Sequence, residues 1–185
     1  MKKTAIFFIL FLNLGCLCRC TPPVQHADPF YNVPDSFSMA RIPLIKPLEA
    51  NRLDSSSPWS LFVDYALGVA IPGTQEVYLY NIEALEKFAV TDGIILAYSP
   101  YVNTRAAAYI QENYYHWFVI IPAEETAQGF QTEDEFRAYI QTLGIAEPDW
   151  QAPDAAWEQF RKTGCLAWLP DCGQAGPGDR DRQRR

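Results

Sequence analysis

From Trp59 to Leu67 the chain alternates, with Trp59, Leu61 and Val63 on one face and Phe62 on the other, and this period of two predicts a β-strand. Gly68, Pro72 and Gly73 then mark a turn region, and Glu76 to Tyr80 forms a second short β-like run. Ile82 to Val90 fits two patterns. Ile82, Leu85 and Phe88 or Ala89 suit a helical face, whereas Phe88-Ala89-Val90 before Asp92-Gly93 suits the end of a hairpin strand. The hairpin is favoured, because Asp-Gly supplies the positive φ angles of a two-residue turn and Ile94 to Tyr98 resumes a strand at once. Asn103 to Glu112 is Ala-rich and reads as a short helix or an excursion loop. Tyr115 to Ile121 is apolar on both faces and bounded by Pro122, so it is expected to be a central strand covered on both sides.

Beyond Pro122 the period lengthens. Thr132 with Glu135 is a capping box, Phe136, Tyr139, Ile140 and Leu143 share a helical face, and Gly144 stands where a C′ glycine belongs. A second helix is expected from about Pro153 to Thr163, with Trp157 and Phe160 inward and Gly164 ending it. The predicted class is α+β: an antiparallel sheet of about four to five strands followed by two C-terminal helices packed on it.

The flanks read differently. Met1-Lys2-Lys3-Thr4 and the apolar run Ala5 to Leu12 have the form of an export signal too short to span a bilayer. Thr21 to Ala40 contains Pro22, Pro23, Pro29 and Pro34 without an apolar period, which suits a tether. Arg41 to Leu48 is apolar but broken by Pro43 and Pro47, as expected of an edge strand. After Cys172 the chain turns to Gly-Gln-Ala-Gly-Pro-Gly and a charged end that can bury nothing. The expected division is a signal peptide over 1–15, a Pro-rich tether over 16–40, a single domain over 41–172 and a disordered tail over 173–185.

The signal ends in Leu12-Asn13-Leu14-Gly15-Cys16, which resembles the lipobox of bacterial lipoproteins, with Asn13 where an aliphatic residue is usual. That resemblance implies a lipid on Cys16 and anchoring to a membrane without spanning it. The layout Phe88 to Val90, Gly93 to Tyr98, Trp117 to Ile120, Gly129 to Thr132 and Glu135 to Ile145 also looks like that of small bacterial lipoproteins of unknown function. It implies an anchored envelope protein, at the periplasmic or outer-membrane face, and brings no catalytic residues. In an exported chain Cys165 and Cys172 are expected to close a small disulfide ring, whereas Cys18 and Cys20 are too close for an easy mutual bond. A thiolate metal site built from Cys16, Cys18 and Cys20 would lie in the signal and linker, outside any scaffold, and no cofactor is expected.

Charge narrows the partners. Over the whole chain 15 basic and 22 acidic residues give −7, but Arg41 to Cys172 alone carries 8 basic against 18 acidic residues, a balance of −10. That surface repels nucleic acid and favours a basic envelope protein as a partner. The tail arginines Arg180, Arg182, Arg184 and Arg185 are interleaved with Asp179 and Asp181, which suits a solvated end better than a lipid-headgroup contact.

Candidate chemistry is sparse. His116 could serve as a base with Asp64 or Glu112 as orienting carboxylate, although a strand histidine between Tyr115 and Trp117 reads better as a packed residue with one hydrogen bond. Glu124-Glu125 and Glu133-Asp134-Glu135 lack the spacing of a calcium loop, and the second group suits a helix N-terminus. Ser55-Ser56-Ser57 sits in no nucleophile elbow. Aromatic residues make up 14% of the chain, and Tyr78, Tyr80, Tyr98 and Tyr101 are the candidate contact residues, since tyrosine offers area and a hydroxyl at low entropy cost. The reading is a lipid-anchored, non-catalytic binding module. An inhibitor of a basic partner is the first alternative and an envelope hydrolase the second.

Overall fold

The computed structural model describes residues 22–33, 39–63, 81–100 and 115–172 in full, and 68–70 and 77–79 as backbone. Ten strands are present among these residues. Strands β1 (Ala40–Pro43), β2 (Glu49–Arg52), β3 (Ser60–Phe62) and β6 (Asn81–Ile82) form one antiparallel sheet in the order β1-β2-β3-β6. Strands β7 (Lys87–Thr91), β8 (Ile94–Tyr98), β9 (Trp117–Ile121) and β10 (Thr126–Phe130) form a second, a simple meander. Between β3 and β6 a ribbon of β4 (Gly68–Ala70) and β5 (Val77–Leu79) is inserted. Two helices follow, α1 (Glu133–Thr142) and α2 (Pro153–Thr163).

Local chemistry accounts for most of these boundaries. The hairpin reading of the Phe88 region holds: Thr91 pairs with Ile94, and Asp92 and Gly93 take φ angles of 49° and 80°, the double left-handed geometry that a two-residue hairpin requires. β1 is an edge strand, as its prolines required, and β9 lies between β8 and β10. On β3, Leu61 is buried and Phe62 is 54% exposed, the predicted alternation.

The continuous apolar run of β9 is explained by covering on both faces. Phe118 and Ile120, with Phe88, Ile95 and Ala97 of the neighbouring strands, enter a core shared with Ile42, Ala50 and Leu61 of the first sheet and with Ala156 and Phe160 of α2. Trp117 and Val119, with Ala89 and Leu96, meet Phe136 and Ile140 of α1. The α+β class stands, with its strands split between two four-stranded sheets and its helices assigned to different layers. α1 lies on β9 and β10, whereas α2 packs on β1.

α1 carries the capping box: Thr132 Oγ1 accepts from the Glu135 amide and the Glu135 carboxylate accepts from the Thr132 amide. Its other end is a Schellman motif. The Gly144 amide donates to Gln141 and the Ile145 amide to Ile140, while Ile140 and Ile145 share the α1-side core.

One stretch expected to be a free tether is held by the domain. The Val24 amide donates to the Thr163 carbonyl, Asp28 caps a 3-10 turn over Pro29–Tyr31, and Arg41 donates to the carbonyls of Phe30 and Asn32. Tyr31 and Val33 pack against the main core. Apolar period is a poor guide here, because the segment docks through single anchors and backbone bonds and not through a repeating face.

Candidate functional site

The expected tyrosine patch divides. Tyr98, on β8, is half-buried in an aromatic cluster, Tyr78 lies on β5 of the inserted ribbon, and Tyr80 and Tyr101 lie outside the described residues. The cluster around Tyr98 surrounds a cation. Lys87 Nζ lies 5.1 Å from the Tyr98 ring centre, 4.8 Å from that of Trp117 and 4.9 Å from that of Trp150. Among the described residues Lys87 has no carboxylate partner, so the ring quadrupoles hold its charge. Adjacent-strand register explains how these groups meet: Lys87 is opposite Tyr98, and Tyr98 is opposite Trp117. Trp150 arrives from the connection between the helices, which backbone bonds between Phe88 and Gln151 tie to the edge of β7.

His116 sits beside this cluster and is half-buried. Its Nδ1–H donates to the Ser99 carbonyl at 2.9 Å, since a carbonyl oxygen only accepts. His116 stands immediately before β9 and not on it, with a backbone carbonyl bonded to its ring. The carboxylates weighed as its partners, Asp64 and Glu112, lie outside the described residues.

A recess lies between β2, the turn after it and α2. It encloses about 390 Å³, in the range of small-ligand clefts. Val33, Met39, Leu53 and Trp157 supply apolar lining, and Arg52, Asp54, Glu158 and Arg161 supply charge. Leu53 is 71% exposed and Met39 40% exposed, two of the few large apolar side chains that the described residues leave in water.

The charged groups of this cleft are held in place. Arg52 donates to Asp154 at 2.6 Å, its guanidinium lies 4.7 Å from the Trp59 ring centre, and Trp59 Nε1 donates to the same Asp154 oxygen. The Arg52 Nε is buried with no hydrogen-bond partner among the described residues. Arg161 donates to both oxygens of Glu158, and this bond holds the Glu158 carboxyl below its usual range. The Ser56 hydroxyl and the Ser56 and Ser57 amides donate to Asp54, lowering it to about 2. The serine cluster thus has a local structural role as the donor side of an Asx turn.

Cys165 and Cys172 are joined by a disulfide, as the export reading required. His26, placed in the tether by sequence, is buried against this ring, with Nε2 3.8 Å from Cys172 Sγ. Cys16, Cys18 and Cys20 lie outside the described residues. No helix among the described residues is long and apolar enough to cross a membrane. Compared with protein-family models, curated proteins and solved structures, the chain has no match.

Sequence reasoning missed Lys87, Trp150, Leu53 and Arg52 as surface-forming residues. Their meeting depends on strand register and on the docking of α2, and neither leaves a local motif. Only the isolated apolar Leu53 between Arg52 and Asp54 hinted at a cleft wall.

Proposed function

We propose that this protein is a cell-envelope lipoprotein, anchored through a lipid on Cys16, whose domain is a non-catalytic binding module with its contact surface at the cleft between β2 and α2. The observation that carries this reading is the exposure of Leu53 and Met39 on the rim of a 390 Å³ recess in company with Arg52 and Arg161. An exposed apolar patch rimmed by charge is the usual form of a contact site. The lipobox-like Leu14-Gly15-Cys16 and the export-type disulfide support the address.

An inhibitor of a basic envelope protein is the second reading. It is favoured by the domain balance of 8 basic to 18 acidic residues and by the exposed Glu133, Asp134 and Glu135 at the start of α1. The hydrolase reading gains nothing from the bond between His116 and Ser99.

The test is capture from envelope extracts by the full chain, compared with Leu53→Asp. Loss of the captured protein in the variant supports the cleft. Retention in the variant, with capture collapsing as salt rises, supports the acidic-surface inhibitor. Fatty-acid labelling that persists in Cys16→Ser would remove the anchor from the proposal.

A further inference from the structure

Independently of the cleft, His26, Cys165 and Cys172 bring three soft or borderline metal-ligand groups to one point, with donor atoms all within 4.8 Å of one another. We infer that reduction of the Cys165–Cys172 disulfide exposes a site for a soft monovalent cation, Cu(I), held by the two thiolates and the His26 imidazole.

The spacing suits such an ion. With metal–sulfur bonds of about 2.3 Å and metal–nitrogen bonds of about 2.0 Å, as for zinc, trigonal ligation separates nitrogen from sulfur by about 3.7 Å. His26 Nε2 already lies 3.8 Å from Cys172 Sγ. Two thiolates with one imidazole select soft metals, and three protein ligands suit Cu(I) better than the four that structural zinc prefers. A dithiol reductant supplies both conditions: it opens the disulfide and keeps copper monovalent.

Noncovalent contacts hold the scaffold alongside the disulfide. Between the cysteines, Leu166 and Leu169 are buried, Trp168 packs edge-on against Phe88 and donates Nε1–H to the Pro43 carbonyl at 3.0 Å. Backbone bonds Leu169 to Leu166 and Cys172 to Leu169 fold the loop on itself. His26 is fixed from the other side by paired bonds between its backbone and the Asn32 side chain, and by the edge of the Tyr31 ring. The donors are therefore carried on three supported segments.

The reductant's dithiol becomes a disulfide as Cys165 and Cys172 become two thiols, and metal binding then releases both thiol protons to solvent. His26 Nε2–H now donates to the Gly164 carbonyl at 2.7 Å, and Nδ1 is bare, buried and without a partner among the described residues. Ligation through Nε2 exchanges the Gly164 bond for a metal bond and leaves the ring proton on Nδ1, so the ring keeps one unpartnered nitrogen in either state.

The test uses the full chain carrying Cys18→Ser and Cys20→Ser, titrated with Cu(I) against a chromophoric Cu(I) chelator under anaerobic conditions. The reduced protein is expected to take up one equivalent and the oxidised protein none, with His26→Gln weakening uptake by at least about 10- to 100-fold, the cost of losing a mere outer-shell partner. Mass spectrometry after alkylation should show Cys165 and Cys172 protected only when Cu(I) is present. Circular dichroism checks that reduced wild type and His26→Gln keep the fold. Equal uptake by the oxidised and reduced forms, wild-type affinity in His26→Gln, or alkylation unaffected by Cu(I) would each overturn the inference.

Discussion

The Nε2–H of His26 donates to the carbonyl oxygen of Gly164 at 2.7 Å, joining positions 138 residues apart. The same glycine ends α2 with a φ of 70°, and a Cβ on it would run into the carbonyl oxygen of Val24. The C-terminus of the second helix and the entry of the chain into the domain are therefore one structural unit.

Gly164→Ala should break this unit from one side, because a left-handed backbone and a blocked approach both oppose a side chain. The expected loss is about 1–3 kcal/mol in denaturant unfolding. Limited proteolysis should then cut near residues 22–33 in the variant and spare them in the parent. His26→Ala attacks from the other side by leaving the Gly164 carbonyl unpaired, for a similar cost of about 1–3 kcal/mol.

Lys87→Met should cost up to about 2 kcal/mol, since methionine keeps the apolar stem and removes the charge facing three rings. Salt distinguishes this from an ordinary ion pair. Among the described residues no carboxylate pairs with Lys87, so the difference in urea midpoint between parent and variant is expected to stay constant from about 0.1 to 1 M salt. A difference that vanishes in high salt would mean that a carboxylate holds the lysine.

The Asp54 turn gives a pH dependence with a definite sign. Donation by Ser56, with the Ser57 amide, stabilises the carboxylate and lowers the folded-state value from 3.8 to about 2. A depressed acid contributes stability above its unfolded value and loses it as the proton returns. The contribution is therefore full above about pH 4 and disappears as pH falls through about 2. NMR titration should place the Asp54 midpoint near 2 and move it upward in Ser56→Ala.

For the disulfide, chain entropy puts the cost of Cys165→Ser with Cys172→Ser at about 2.5 kcal/mol. The loop should nonetheless stay docked, because Leu166, Leu169 and Trp168 are anchored by burial and by the Pro43 bond. Amide exchange in residues 165–172 tests this. Exchange as fast as in an unfolded chain would show that the covalent bond alone holds the loop.

The sequence was a good guide wherever one segment decides its own structure. Asp92-Gly93 dictates a tight hairpin, Thr132 and Glu135 open α1, and Gly144 and Gly164 close the two helices, each through a local backbone requirement. The doubly apolar β9 announced covering on both faces. It did not say that one cover is a second sheet, because burial leaves the same apolar signature whatever supplies it. The cleft was least visible. Arg52, Met39 and Trp157 come from separate segments and meet only through the packing of α2 on β1.

The docking of Val24 beside Thr163 bears on the anchoring proposed at Cys16. With a lipid on Cys16, a free tether running to residue 40 would let the domain range about 85 Å from the bilayer. Because the chain is already bound at Val24, the eight residues from a lipidated Cys16 would hold that pole of the domain within about 28 Å. On the proposed anchoring at Cys16, a partner would meet the protein within that distance of the lipid surface.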